Sequence, residues 1–156
     1  MIKAILAISF MLIIMANAAA QPFSLDKAIN PVELKLVDYT HAPDKKWNGK
    51  MAMADVTQVN EDSYFYVRGL SMYQPVYFTI VAEKPADKLN VELSKNNWKK
   101  ADKSGATDAK GKWKASFKTE GSFGIKVKKS NPSSKYRLMV WVGNDAANVG
   151  LSSPFK

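Results

Sequence analysis

Apolar and polar residues alternate with a period of two in run after run of this chain, and that pattern constrains the fold more than any other feature. Val32, Leu34 and Leu36 alternate with Glu33 and Lys35. Trp113, Ala115 and Phe117 alternate with Lys112, Lys114, Ser116 and Lys118. Phe123, Ile125 and Val127 alternate with Ser122, Gly124, Lys126 and Lys128, and Tyr136, Leu138, Val140 and Val142 with Lys135, Arg137, Met139 and Trp141. Successive side chains of a strand leave on opposite faces, so each run builds one core face and one outer face. Helical periodicity is absent beyond the first 20 residues.

Two denser runs, Ser63 to Val67 and Pro75 to Val81, are rich in Tyr, Phe, Val and Ile. They read as strands covered on both faces, or with an aromatic outer face. Asn90 to Leu93 is a further short strand. Turn residues punctuate the runs at Asn48-Gly49, Arg68-Gly69, Glu120-Gly121 and Ser130 to Ser134. The link Thr119 to Ser122 is short enough to close a hairpin. Segments 41–50 and 95–112 read as long loops. Seven or eight short strands of this kind predict an all-β fold, a single antiparallel β-sandwich. Its expected core is Leu34, Phe78, Ile80, Phe117, Phe123, Ile125, Leu138 and Val140.

Residues 1–20 stand apart. Met1-Ile2-Lys3 is a short positive start, Ala4 to Met15 is an uninterrupted apolar run, and Ala16-Asn17-Ala18 and Ala18-Ala19-Ala20 fit the small-x-small cleavage pattern. This is the layout of a secretory signal peptide, and the apolar run is shorter than the ~20 residues a membrane-spanning helix needs. The expected organisation is a cleaved N-terminal signal helix over 1–20 and one sandwich domain over 21–156. The chain has no cysteine, which excludes disulfides, thiolate metal sites, cysteine nucleophiles and a lipid anchor on cysteine. Exported domains held by core packing alone are common in the bacterial periplasm. The expectation is therefore a bacterial protein, periplasmic before secreted.

Charge is unevenly spread. Residues 95–137 hold thirteen Lys or Arg against three acids, within a whole-chain net charge of +9. Lys112, Lys114 and Lys118 share one face of one run, and Lys126 and Lys128 the same-parity face of the next. A turn at Glu120-Gly121 would gather these lysines, with Arg137 nearby, into one exposed basic strip. Like charges across a strand pair repel, and an acidic protein or an anionic envelope component would relieve that repulsion. Water and salt would relieve it too, since lysines splay and are screened. Trp47 and Trp98 sit in loops beside lysines, where each either stacks on a sugar ring or partner or tucks down to cover an end of the sandwich.

The stretch from about Asp55 to Val142 resembles the bacterial pre-peptidase C-terminal domain, a small jelly-roll β-sandwich of exported proteins. Glu61-Asp62-Ser63-Tyr64-Phe65-Tyr66-Val67-Arg68-Gly69 followed by Val76-Tyr77-Phe78-Thr79-Ile80 is similar to that family's acidic-aromatic strand, glycine turn and apolar strand. Leu89 to Leu93, Gly121 to Val127 and Lys135 to Val140 are similar to its later strands. The resemblance implies a fold and an accessory or binding role, not a reaction. Small exported lysozyme inhibitors look similar, although no inhibitory loop signature stands out here.

Most reaction classes find no support. His41 is the only histidine, in Thr40-His41-Ala42-Pro43 with no G-x-S-x-G nucleophile motif in the chain. One histidine and no cysteine cannot build a standard zinc or copper site. Asp55, Glu61 and Asp62 lack the spacing of an EF-hand calcium loop. There is no phosphate-cradling glycine loop, and an exported chain rarely meets nucleic acid. The expectation is a non-enzymatic exported binding or accessory protein, without cofactor or metal, that uses its lysine-rich surface. A carbohydrate-binding module using Trp47 and Trp98, and an inhibitor of an exported hydrolase, are the alternatives.

Overall fold

A computed structural model describes residues 29–40, 48–128 and 133–143. The expected signal segment, His41 and Trp47 lie outside them. The described residues form eight strands and no helix: β1 Val32–Glu33, β2 Val37–Tyr39, β3 Gly49–Thr57, β4 Ser63–Ala82, β5 Asn90–Ser94, β6 Lys103–Ala106, β7 Lys112–Val127 and β8 Lys135–Gly143.

Two long strands organise the rest. Ser63–Arg68 of β4 pairs with Ser122–Val127 of β7, and Gln74–Val81 pairs with Lys112–Thr119. Beside the second half of β4 runs β8, then β3, then β2. Beside the first half of β4 runs β1, and beside the second half of β7 run β5 and β6. One continuous sheet thus doubles over on the β4–β7 ribbon into the two layers of a sandwich. A single apolar cluster joins Val76, Phe78, Ile80, Leu138, Val140 and Val142 of one layer to Phe65, Val67, Val91, Leu93, Phe123, Ile125 and Val127 of the other.

The alternation predicts the inner faces correctly. Leu34, Phe78, Ile80, Phe123, Ile125, Leu138 and Val140 are all buried. Phe117 is only half-buried: among the described residues, β7 is the last strand of its layer there. The connectivity differs from the expectation in three ways. The two dense runs are halves of one strand, β4. Thr119 to Ser122 closes no hairpin: β7 runs on through it, with Trp113, Ala115 and Phe117 opposite Ile80, Phe78 and Val76 of β4. Segment 95–112 contains β6, whose Gly105 lies against Trp113: a Cβ added there would run into the indole ring. The sheet is antiparallel except for β1, which runs parallel to β4.

Candidate functional site

The β4–β7 ribbon bends where its strands fall out of step. Arg68 pairs with Ser122, Leu70 with Gly121, and Gln74 with Thr119. Gly69 is therefore extra in the first step, and Ser71, Met72 and Tyr73 stand against Glu120 alone in the second. Chain in excess has to leave the ladder. Gly69 (φ +78) and Gly121 (φ +69) supply the left-handed conformations that this requires. Tyr73 adopts φ 53 without being glycine, at a cost of roughly 1–2 kcal/mol.

The resulting projection is anchored at its base and apolar at its tip. Leu70 turns into the core, while Met72 and Tyr73 are 70% and 62% exposed. The Ser71 N–H donates to Gln74 Oε1 at 2.7 Å, and Gln74 Nε2 donates to the Gly143 carbonyl of β8 at 3.1 Å. The backbone here is strained, the surrounding structure holds it in place, and its two large apolar side chains stay outside the packing. The sequence carried one signal for it. Seven residues, 68–74, separate the two dense runs, too many for a tight turn, and Met72 and Tyr73 are apolar at a joint.

The expected basic strip divides. Because β7 does not reverse, Lys112, Lys114 and Lys118 lie on the outer face of one layer and Lys126 and Lys128 on the outer face of the other. Lys126 Nζ is 3.1 Å from Asp62 and 3.9 Å from Glu92, and sits 5.6 Å over the Tyr64 ring. Burial opposes its charge, but these neighbours hold its pKa above the ordinary lysine value. Lys128 Nζ is 2.6 Å from Glu92. Arg137 is engaged bidentately by Asp55, at 2.6 and 2.8 Å, on the wall of an open groove of about 570 Å³ floored by Val81 and Met139.

The tryptophans are mostly structural. Trp98 packs against the core and meets Tyr64 edge-on, at 5.0 Å and 80°. That angle does not make a flat platform for a sugar ring. Trp113 meets Phe78 at 5.7 Å, and Trp141, 1% exposed, meets Tyr77 at 5.6 Å. No group of three or more His, Asp or Glu able to hold a metal occurs among the described residues.

Three carboxylates, Asp55 and Asp108 exposed and Glu33 half-buried, contribute to the acid response. The Arg137 guanidinium holds Asp55 below its ordinary pKa. Desolvation works against ionisation of Glu33, but Arg68 Nε at 2.8 Å and the Tyr66 hydroxyl at 3.1 Å outweigh it. The backbone N–H groups of Lys112 and Lys110 lower Asp108. Each folded value lies below the unfolded one. Each group therefore stabilises the fold fully above the unfolded carboxylate range, about 3.9–4.3, and loses that contribution as pH falls through its depressed value. In urea titrations, the parent should lose stability more steeply below about pH 4 than Asp55→Asn. Equal slopes would show that the Asp55–Arg137 pair contributes nothing.

Fold and site together define an all-β sandwich with an anchored apolar projection at its bend. No protein-family model matches the sequence, and no curated protein matches it. Among solved structures, the chain is similar to the pre-peptidase C-terminal domain of a collagenase from Bacillus anthracis, with a TM-score of 0.47 and 12% identity, covering 71% of this chain and 92% of that one. It is similar to the same degree to PliG of Aeromonas hydrophila, a periplasmic inhibitor of g-type lysozyme, with a TM-score of 0.47 and 11% identity, covering 72% and 96%. The sugar-binding C-terminal domain of EclA aligns with a TM-score of 0.22 and 15% identity, covering 80% and 87%. The resemblance to pre-peptidase C-terminal domains is thus weak in structure as it is in sequence.

Proposed function

We propose that this is an exported, non-enzymatic binding protein that inserts the Ser71–Tyr73 projection into a concave site on a protein partner. The observation that carries the reading is the exposure of Met72 and Tyr73, 70% and 62%, on a backbone that Gln74 pins to β8. A convex apolar tip that is already ordered loses little conformational freedom on binding. Tyrosine supplies a large amphipathic contact at low entropic cost, and methionine adapts to an irregular pocket. Export rests on the signal-peptide layout of residues 1–20. The division of the lysines moves the expected contact surface away from a single basic strip. An inhibitor of an exported hydrolase is one form this reading takes, with the hydrolase cleft as the concave site.

Capture from envelope extract, quantified by mass spectrometry, tests it. Immobilised parent should retain at least one protein that Met72→Ala/Tyr73→Ala releases, with retention falling by tenfold or more, as expected for central aromatic anchors worth ~2 kcal/mol or more. Equal retention by the parent and the folded double variant would overturn the reading.

A further inference from the structure

We infer that Met51, Met53 and Met139, on the outer face of β3 and β8, form a thioether site for a soft monovalent cation of the Cu(I) or Ag(I) type. This goes beyond the projection and does not depend on it.

Three of the chain's seven methionines fall in residues 1–20, and of the other four only Met72 lies outside this face. β3 pairs with β8 without a register shift, from Gly49 opposite Gly143 to Thr57 opposite Lys135. Met53 stands directly opposite Met139, and Met51, two residues back, is diagonal to it. Their strand neighbours Ala52, Leu138 and Val140 are buried in the core, so the three methionines leave the sheet on the other side. Directly opposed side chains start about 4.5–5.5 Å apart, and diagonal ones about 7–8 Å. Methionine has three rotatable bonds, enough for thioethers on such a triangle to converge on one ion above the sheet. The ladders hold the triangle itself, since β8 lies between β3 and β4.

Packing does not explain these residues. Met53 is 61% exposed, and Met51 and Met139 are half-buried. Methionine brings little strand preference, and an exposed thioether is open to oxidation. What the three share is an uncharged, polarisable sulfur donor. Thioethers select Cu(I), whereas carboxylate, carbonyl and water oxygens suit Mg, Ca and Mn. Ag(I) has the charge and softness of Cu(I) without its redox chemistry.

The surroundings suit the same class of ion. Val37 lies opposite Met51 and Thr79 opposite Met139, so neither flank brings an ammonium to repel a cation. The one carboxylate of β3, Asp55, is engaged bidentately by Arg137 at 2.6 and 2.8 Å, which commits it to a guanidinium rather than to a hard divalent ion. A single histidine and the lack of cysteine argue against nitrogen and thiolate sites but do not bear on a thioether site.

The test follows the methionine methyl groups by NMR while the folded protein is titrated with silver nitrate in chloride-free buffer. The Met51, Met53 and Met139 signals should shift together and saturate at one Ag(I) per chain. Met72, 70% exposed, should stay in place and so reports any indiscriminate binding to thioethers. Cu(I) kept reduced by ascorbate should move the same three signals, and Zn(II) none. Met53→Leu keeps an apolar side chain of similar volume at an exposed position, so the fold is retained. It should weaken Ag(I) binding by about tenfold or more, since loss of even a supporting residue at a metal site costs about 10–100-fold. A Met72 signal that moves at the same Ag(I) concentration as the others would mean adventitious binding and overturn the proposal. So would unmoved signals at the three positions, an equal response to Zn(II), or parent-like affinity in Met53→Leu.

Discussion

Replacing Phe123 with alanine is expected to destabilise the protein by ~3–5 kcal/mol. Phe123 is 0% exposed and sits on β7 just past the bend, paired in register with Val67. Its ring meets Phe117 edge-on at 5.1 Å and 85°, so the two aromatics join the layers where the ribbon crosses between them. The substitution removes the ring's burial and an aromatic pair of about 0.5–1.5 kcal/mol. It also leaves space that β-strands on both sides cannot easily collapse into. Against a total stability of roughly 5–15 kcal/mol for a domain, this is a large fraction. Phe117→Ala should cost markedly less, because that ring is already half exposed. Urea denaturation with an unchanged m-value measures both. A loss under about 1 kcal/mol for Phe123→Ala would mean that this ring is not the packing element its burial indicates.

Side-chain direction was readable in the sequence, and strand connectivity was not. Alternation alone places Leu138 and Val140 inward with Arg137 outward, and Ile125 inward with Lys126 outward, as the structure has them. Period two says which face a residue takes but not which strand it pairs with. Glu120-Gly121 carries the composition of a hairpin turn, yet Gly121 spends its positive φ on a bulge within one continuous strand. The basic strip depended on that turn, so parity was right for all five lysines while the strip itself was not formed. The bidentate bond of Arg137 to Asp55 joins residues far apart in the chain, and no local pattern signals it. β2 and β3 also went unread. The middle of Gly49–Thr57 is Met51-Ala52-Met53-Ala54, residues with little strand preference of their own, and pairing along the whole of β8 holds it extended. Beyond the seven-residue gap between the dense runs, the projection rests on a mismatch in length between β4 and β7, which exists only once the two are paired.

Tyr73→Gly should separate stability from binding. At φ 53, Tyr73 occupies a conformation that glycine adopts freely. Relief of that strain opposes the greater freedom glycine gives the unfolded chain. The net result should be stability unchanged or raised by up to ~1 kcal/mol. Few substitutions of a large aromatic leave a fold as stable as before, and this one does so because the ring is 62% exposed and contributes little packing. Binding should respond the other way. Loss of a central tyrosine contact weakens association by about tenfold to a hundredfold, and the freed backbone adds an ordering cost on top. Tyr73→Asn tolerates the left-handed conformation while lacking the ring, so it should bind more weakly than the parent but less weakly than the glycine variant, whose added flexibility it lacks. Thermal or urea unfolding together with capture of the partner measures both quantities on the same proteins. A loss of more than about 1 kcal/mol in Tyr73→Gly would make the ring a packing element, and undiminished capture by both variants would remove Tyr73 from the contact surface.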